Sequence, residues 1–338
     1  MDQVAIGRSG LKVSPVCLGT MMFGSGADEA ESRRIIDKAR DFGINFIDTA
    51  DVYNAGVSEE IIGRAIAADR NRWIVATKVG SPPAGDAGAR GLLAKSRVLR
   101  CAQESAKRLQ TDRIDIYYLH KEEHTTPLEE TSGAMAELVR SGLIRAFGVS
   151  NYRGWRVAEI CRLCDDLGID RPIVSQPYYN ALNRMPEVEH LPACAYYGLD
   201  VFPYSPIARG VLTGKYLAGE KPPADSRAAR NDKRIMQTEW RPESFEIAQV
   251  IKRHAESRGI TATQFAVSWV LNNKMISGVV AGPRVAAQLD DYIRALDYRF
   301  TKEDEDLVDT LVTAGHPSTP RYNDPAYPIE GRVPRSNG

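Results

Sequence analysis

Short runs of β-branched residues alternate with helical patterns almost from one end of this 338-residue chain to the other. Strand candidates begin near Val16, Asn45, Trp73, Ile114, Ala146, Ile173, Asp200 and Ser277. Helical periodicity fills the gaps over 31–42, 58–67, 95–109, 127–141, 153–167 and 186–197. It returns over 242–273, with a break near Gly259, and over 283–295. Eight strands, each followed by a helix, fit an α/β fold in which a parallel sheet closes on itself, the (β/α)8 or TIM barrel. Successive strand starts lie about one βαβ unit apart until Asp200. The wider interval after it holds 206–241, rich in Pro, Gly and charge, which reads as a long loop above the barrel after strand seven. Gln3 to Val13 reads as an N-terminal hairpin with Ser9-Gly10 at its turn. Pro317, Pro320, Pro325, Pro328 and Pro334 predict an irregular C-terminal tail. No segment has linker composition, so 1–338 is expected to be one domain. Its barrel would run over about 14–300, with a C-terminal helix and tail over 301–338.

Composition closes off several function classes. The 44 Lys and Arg balance 44 Asp and Glu, so no long-range field draws the chain to nucleic acid or anionic lipid. The most apolar window, 265–271, is far shorter than a membrane span. No secretory leader is visible after Met1, and the five cysteines are an odd, scattered number, which points to reduced thiols in a cytoplasm. Cys161-x-x-Cys164 lies within a helical run without a second such pair and reads as two small hydrophobes. His124, His190, His254 and His316 lack motif support and are expected at the surface or in loops.

Chemistry in such barrels sits where strands feed the following loops. The second strand ends in Asp48-Thr49-Ala50-Asp51-Val52-Tyr53, the third in Lys78 and the fourth in His120. Three neighbouring strands therefore aim an acid, an ammonium and an imidazole at one mouth, with a tyrosine just beyond. These groups suit proton donation to a carbonyl oxygen. The ammonium would lower the pKa of the phenol, Asp48 would keep Lys78 charged and fixed, and His120 would orient the oxygen. No G-x-G-x-x-G follows a strand, and neither HExxH nor GxSxG occurs, so Rossmann, zinc-protease and serine-hydrolase readings lack support.

These residues, in this order, resemble the aldo-keto reductases, bacterial-type barrel enzymes that use NADPH without a Rossmann fold. The resemblance also rests on Leu18-Gly19-Thr20-Met21, Gly148-Val149-Ser150-Asn151, Gln176, Tyr204 to Tyr216, and Gly282-Pro283-Arg284 with Gln288 to Asp291. It implies Tyr53 as general acid, Lys78 and Asp48 as its tuning pair, and His120 as the group positioning the carbonyl. Ser150, Asn151 and Gln176 would hold the nicotinamide carboxamide, with Tyr204 stacking on the ring. Gly19, Thr20, Met21 and Asp48 would line the cofactor's approach. Ser205, Pro206, Ile207, Ala208, Gly210 and Lys215 would follow its pyrophosphate. Gly282, Arg284, Gln288 and Asp291 would take the 2′-phosphate and adenine, Arg284 from the start of the final helix. Arg209 and Arg230 are further candidates for the phosphates.

The chain departs from the family pattern at Pro283, at Asp291-Tyr292 in place of Glu-Asn, and at Ser175 beside Gln176. Tyr292 lacks the paired donor and acceptor of an Asn amide. The implied reaction is reversible reduction of an aldehyde or ketone by NADPH, without a metal. Met22, Phe23 and Trp240, with Tyr53, 121–124 and the tail, are the expected pocket wall, suited to a small aldehyde or a bulky ring ketone. Two other readings stand beside it. One is a nicotinamide-binding, redox-sensing subunit of the potassium-channel β type, whose members carry an extended N-terminal segment, whereas this barrel starts near residue 16. The other is a lyase or aldolase with Lys78 as Schiff-base amine, which needs that lysine unprotonated. The sequence does not choose between a monomer and a homo-oligomer.

Overall fold

The computed structural model describes residues 1–83, 85–86, 88–320 and 324–328. Two short strands, β1 (Val4–Ile6) and β2 (Leu11–Val13), pair antiparallel, with Ile6 opposite Leu11 and the turn over 7–10. Eight parallel strands follow: β3 (Val16–Gly19), β4 (Phe46–Asp48), β5 (Ile74–Val79), β6 (Ile114–Leu119), β7 (Ile144–Ser150), β8 (Val174–Gln176), β9 (Asp200–Val201) and β10 (Val279–Ala281). They run in the order β10-β3-β4-β5-β6-β7-β8-β9. The last gap is bridged by Ser277 N–H donating to the Val201 carbonyl at 2.9 Å and Val280 N–H to that of Pro203 at 3.0 Å. A parallel bridge between Tyr204 and Val280 completes the circle. The eight expected strands all form and close as a (β/α)8 barrel.

Both faces of these strands are covered, which is why β6 is buried at every position. The helices bury one stripe each against the strands. Those between β3 and β8 are α1 (Glu29–Asp41), α2 (Val57–Ile66), α3 (Lys95–Arg108), α4 (Leu128–Arg140) and α5 (Gly154–Leu167). In α3 the buried set Val98, Cys101, Ala102, Ser105 and Ala106 repeats at helical spacing. Cys161 and Cys164 lie on the buried face of α5, and burial pushes both thiols up to about 12, so they pack as small hydrophobes. Next come α6 (His190–Tyr197), α7 (Lys233–Gln237), α8 (Pro242–Ser257) and α9 (Ala262–Asn272), the last with a Thr261/Gln264 capping box. The chain ends its helices with α10 (Leu289–Arg294) and α11 (Lys302–Leu311).

The N-terminal end of the barrel is corked. Ile6, Leu11 and Val13 of the hairpin pack on Cys17, Phe46, Ile116, Ala146, Ile173 and Phe202 as one apolar cluster. Phe202 meets Phe46 edge-on, with ring centroids 5.4 Å apart. A Cβ at Gly278 would fall 2.3 Å from both the Phe202 ring and the Pro15 carbonyl oxygen, so the strand entry here requires glycine.

Several expectations change. The 186–197 helix splits into a 3₁₀ turn at Met185–Glu187 and α6, and that over 283–295 contracts to α10 between two 3₁₀ turns. Arg284 therefore precedes a helical turn rather than starting the final helix, which is α11. The 206–241 segment is not plain loop: it holds a 3₁₀ turn (Ala208–Thr213) and α7. His190 is buried, bonded through Nε2 to Ser175 Oγ at 2.9 Å, because α6 folds it against β8. The tail is irregular over 324–328, and Pro334 lies outside the described residues.

Candidate active site

The register of the barrel brings the polar strand ends to one level. Gly19 pairs with Asp48, Asp48 with Ala76, Lys78 with Tyr118, and Ser150 with Gln176. Above them opens a cavity of about 400 Å³. Lys78 is fully buried beneath it, its Nζ 2.6 Å from Asp48 Oδ2, 2.7 Å from the Thr49 carbonyl oxygen and 3.3 Å from Tyr53 Oη. His120 meets the Tyr53 ring edge-on at 5.9 Å between centroids. The four residues expected to carry chemistry are thus linked through Lys78 and Tyr53, three of them on the cavity wall with Lys78 behind.

Their protonation follows from burial and neighbours. Burial pulls the Lys78 ammonium down, but the Asp48 carboxylate and the Tyr53 oxygen outweigh it and hold the ammonium above its ordinary pKa. Burial pushes the Tyr53 phenol up; the Lys78 charge opposes this and Asp48 adds to it, so the net shift is upward. That corrects the expectation of a lowered phenol: in this wall, desolvation exceeds the pull of one ammonium. Burial, helped by Lys78 and Lys121, drops His120 well below its usual range, so the ring is neutral and able to donate one N–H.

Tyr53 is presented by an unusual turn. Asn54 and Ala55 have φ of 49° and 54°, a left-handed conformation that L-residues adopt at a cost. Asn54 Nδ2 secures it by donating to the Phe23 carbonyl at 2.5 Å. On the opposite wall Ser150 Oγ donates to the Gln176 carbonyl at 2.7 Å, Gln176 Nε2 to Asp48 Oδ1 at 2.9 Å, and Tyr204 Oη to Asn151 Oδ1 at 2.9 Å. Asn151 Nδ2 donates to Ser150 Oγ at 3.0 Å, so one hydrogen-bonded chain joins these four side chains to the acid beside Lys78.

At the far end the cavity is cationic. Lys215, Arg227, Arg230 and Arg284 line it, with Asp225 as the local anion, held by Arg284 Nη2 at 2.7 Å. Burial pulls the Lys215 ammonium below its ordinary value; Asp225 opposes this, and the three guanidiniums add to it. Such a cluster suits a polyanion. No group of three metal-ligating side chains occurs among the described residues.

A family model for the aldo/keto reductase family matches residues 15–313. The chain belongs to the aldo/keto reductase family. An uncharacterized oxidoreductase of Bacillus subtilis, YrpG, is 36% identical over 314 residues, covering 90% of this chain and 93% of its own length. A probable voltage-gated potassium channel subunit beta of Oryza sativa is 34% identical over 332 residues, 95% of this chain and 100% of its own. L-glyceraldehyde 3-phosphate reductase of Escherichia coli K12 is 33% identical over 328 residues, 91% and 92%. Because the rice relative is matched end to end, an N-terminal extension does not separate channel-type from enzyme-type members.

In this aldo/keto reductase the cavity wall includes Gly19, Thr20, Met21, Met22, Asp48, Ser150, Asn151, Gln176, Tyr204, Ser205, Pro206, Ile207, Arg209, Gly210, Lys215, Gly282, Arg284 and Gln288. Four expected residues lie elsewhere. Phe23 is fully buried in the main core, and Trp240 packs on Tyr216 and Phe245 at 5.1 and 4.8 Å between centroids; both are drawn away by apolar neighbours. Ala208 also turns into the core. Asp291 accepts from Gln264 Nε2 of α9 at 2.8 Å, and Tyr292, one residue on and about 100° round the helix, takes the wall instead. The 121–124 stretch is likewise off the wall, since Glu123 is used to accept from the Leu93 and Thr125 N–H groups.

Arg227, Arg234 and Asp225 were missed, whereas Tyr327 comes from the tail that was expected on the wall. The signal for the arginines was a basic run over 227–234, which does not say which way a loop folds. The tail reaches the mouth because Arg234 holds Asp324 through Nη1 at 3.0 Å and Nη2 at 2.5 Å.

Proposed function

We propose that this protein reduces aldehydes or ketones to alcohols with NADPH, and that Tyr53 is the general acid. The observation carrying this reading is the contact of Tyr53 Oη with the buried, charged Lys78, itself clamped by Asp48, beside a neutral His120. The cavity suits the nucleotide on the chemistry of its donors: Ser150, Asn151, Gln176 and Tyr204 at one end and the Lys215, Arg227, Arg230 and Arg284 cluster at the other. Bound there, NADPH would supply the hydride for the carbonyl carbon.

The chain's own residues do the rest. His120 donates to the carbonyl oxygen and fixes it near Tyr53, lowering the cost of the charge that develops. Tyr53 gives that oxygen its proton. Lys78 stabilises the phenolate left behind, and the burial that makes the phenol a weak ground-state acid keeps water out of the transfer. Arg284, freed from Asp225, would take the 2′-phosphate, which favours NADPH over NADH. A Schiff-base role for Lys78 conflicts with its three hydrogen bonds and held charge.

The experiment is to follow the absorbance of reduced nicotinamide with a panel of aldehydes and ketones. Tyr53→Phe should lower kcat by about 10²–10⁴-fold with NADPH binding kept; full turnover in that variant sinks the mechanism. The similarity to channel β subunits favours one second reading, a nicotinamide-binding regulatory subunit with little turnover. Tight NADPH binding with no oxidation by any carbonyl would select it.

A further inference from the structure

Behind the Tyr53 turn, on the side away from the cavity, lies a second polar cluster that the proposed reaction does not use. Strand alternation turns Lys78 into the barrel and Thr77 outward, toward α2 and α3. There Thr77 Oγ1 donates to Glu59 Oε1 at 2.5 Å, and Arg108 Nε donates to Glu59 Oε2 at 2.6 Å. Arg108 Nη2 reaches Ser105 Oγ at 3.2 Å. Glu59 is fully buried, so this carboxylate has its counter-ion and hydrogen bonds in place.

Asp51 faces the same space. The charged groups around it are Glu59 on α2 and Arg97 and Arg108 on α3. The Cys101 thiol of α3 and the Tyr117 phenol of β6 share its field. On the cavity side stands Tyr53, and the Asp51 N–H donates to the Lys78 carbonyl at 3.3 Å. Among the described residues, Asp51 Oδ1, Arg97 Nε and Tyr117 Oη are buried without a hydrogen-bond partner. The Asp51 and Glu59 carboxyls thus act on one another, and the guanidinium bonded there serves Glu59. The cluster also bears on the turn that presents Tyr53. Gly56 has φ 93°, and a Cβ there would fall 2.7 Å from Arg108 Cδ and 2.9 Å from its Nε.

We propose that Asp51 is a positioning residue that takes up and releases a proton behind Tyr53, its ionised form weakening Tyr53 as an acid by setting a negative charge beside the phenol. This rests on the reductase reading above. The proton is exchanged with water and does not reach the substrate. Burial first, then the Glu59 carboxylate, push Asp51 up to about 7, while Arg108 and Arg97 pull against them. Its charge in turn pushes the Tyr53 phenol up. Below neutrality Asp51 carries its proton and Tyr53 donates more readily; above it the added charge holds the phenolic proton back.

Two measurements on the full chain test this. Infrared difference spectra between about pH 5.5 and 8.5, without nucleotide, should lose one protonated-carboxyl band, and the band should be absent from Asp51→Asn. The pH profile of kcat for reduction should fall about three- to tenfold across the same window in the wild type and stay level in Asp51→Asn. A wild type without the band, or a variant that keeps the limb, overturns the proposal. If Asp51→Asn does not fold, Asp51→Glu must carry band and limb displaced along the pH axis, and an unmoved band overturns it equally. The infrared arm needs no turnover, so an inactive protein would count against the reductase reading and leave Asp51 separately decided.

Discussion

The two ends of the barrel are made from the same eight strands and do opposite work. At the N-terminal floor the inward residues are Cys17, Phe46, Ile116 and Phe202, sealed by a hairpin tied to the barrel through Gly7 N–H on Asp200 and Asn45 Nδ2 on the Lys12 carbonyl. At the C-terminal mouth the strands end in Asp48, Lys78, His120, Ser150 and Gln176, and the backbone leaves its ordinary wells. Asn54, Ala55, Asn151, Ser205, Ala208 and Arg209 all have positive φ around this rim. A floor built from side-chain volume resists deformation, and that rigidity lets the mouth hold buried charge and strained turns at fixed separations. Stability and chemistry are segregated along the barrel axis.

Substitutions at each end test that segregation. The largest effect is expected at the floor: Phe202→Ala should cost about 3–5 kcal/mol in urea unfolding, with KM and kcat of the folded fraction kept. A large loss of kcat in folded protein would show that the ends are coupled. At the mouth, Arg284→Ala should raise the Kd for NADPH about 10–100-fold, spare NADH, and leave the melting temperature near wild type. Equal losses for both nucleotides would move the 2′-phosphate site elsewhere.

The smallest effect compares two buried imidazoles. Burial lowers His190, between β8 and α6, to about 4, so its neutral form stabilises the fold fully above its unfolded pKa. That contribution is lost as pH falls from about 6.5 through 4. His190→Gln should therefore remove on the order of 1 kcal/mol of the acid destabilisation seen by about pH 5.5, with turnover kept, whereas His120 belongs to the mouth.

Where local pattern decides, the sequence was informative. All eight strand starts are found within about two residues, because a strand buried on both faces leaves a continuous apolar run bounded by polar ends. Asp48, Lys78 and His120 were legible as neighbours for the same reason, each sitting where such a run stops, with Tyr53 just beyond the first. What was not legible depends on how loops dock. Trp240 and Phe23 were expected on the cavity, yet aromatic neighbours and the main core claim them. Asp291 and Tyr292 exchange places through the phase of a six-residue helix. Arg227 reaches the wall only because 206–241 folds back, tied to the expected tail by pairs such as Arg234 with Asp324. The sign of the Tyr53 shift needed burial as well as the identity of its neighbours.

The hairpin at the floor and Tyr327 at the mouth also make the molecule's two faces unequal handles. A bead, dye or electrode surface coupled beside Gly10, an exposed turn residue, would stand across the depth of the barrel from Tyr53. The same attachment next to Tyr327 would stand in the doorway.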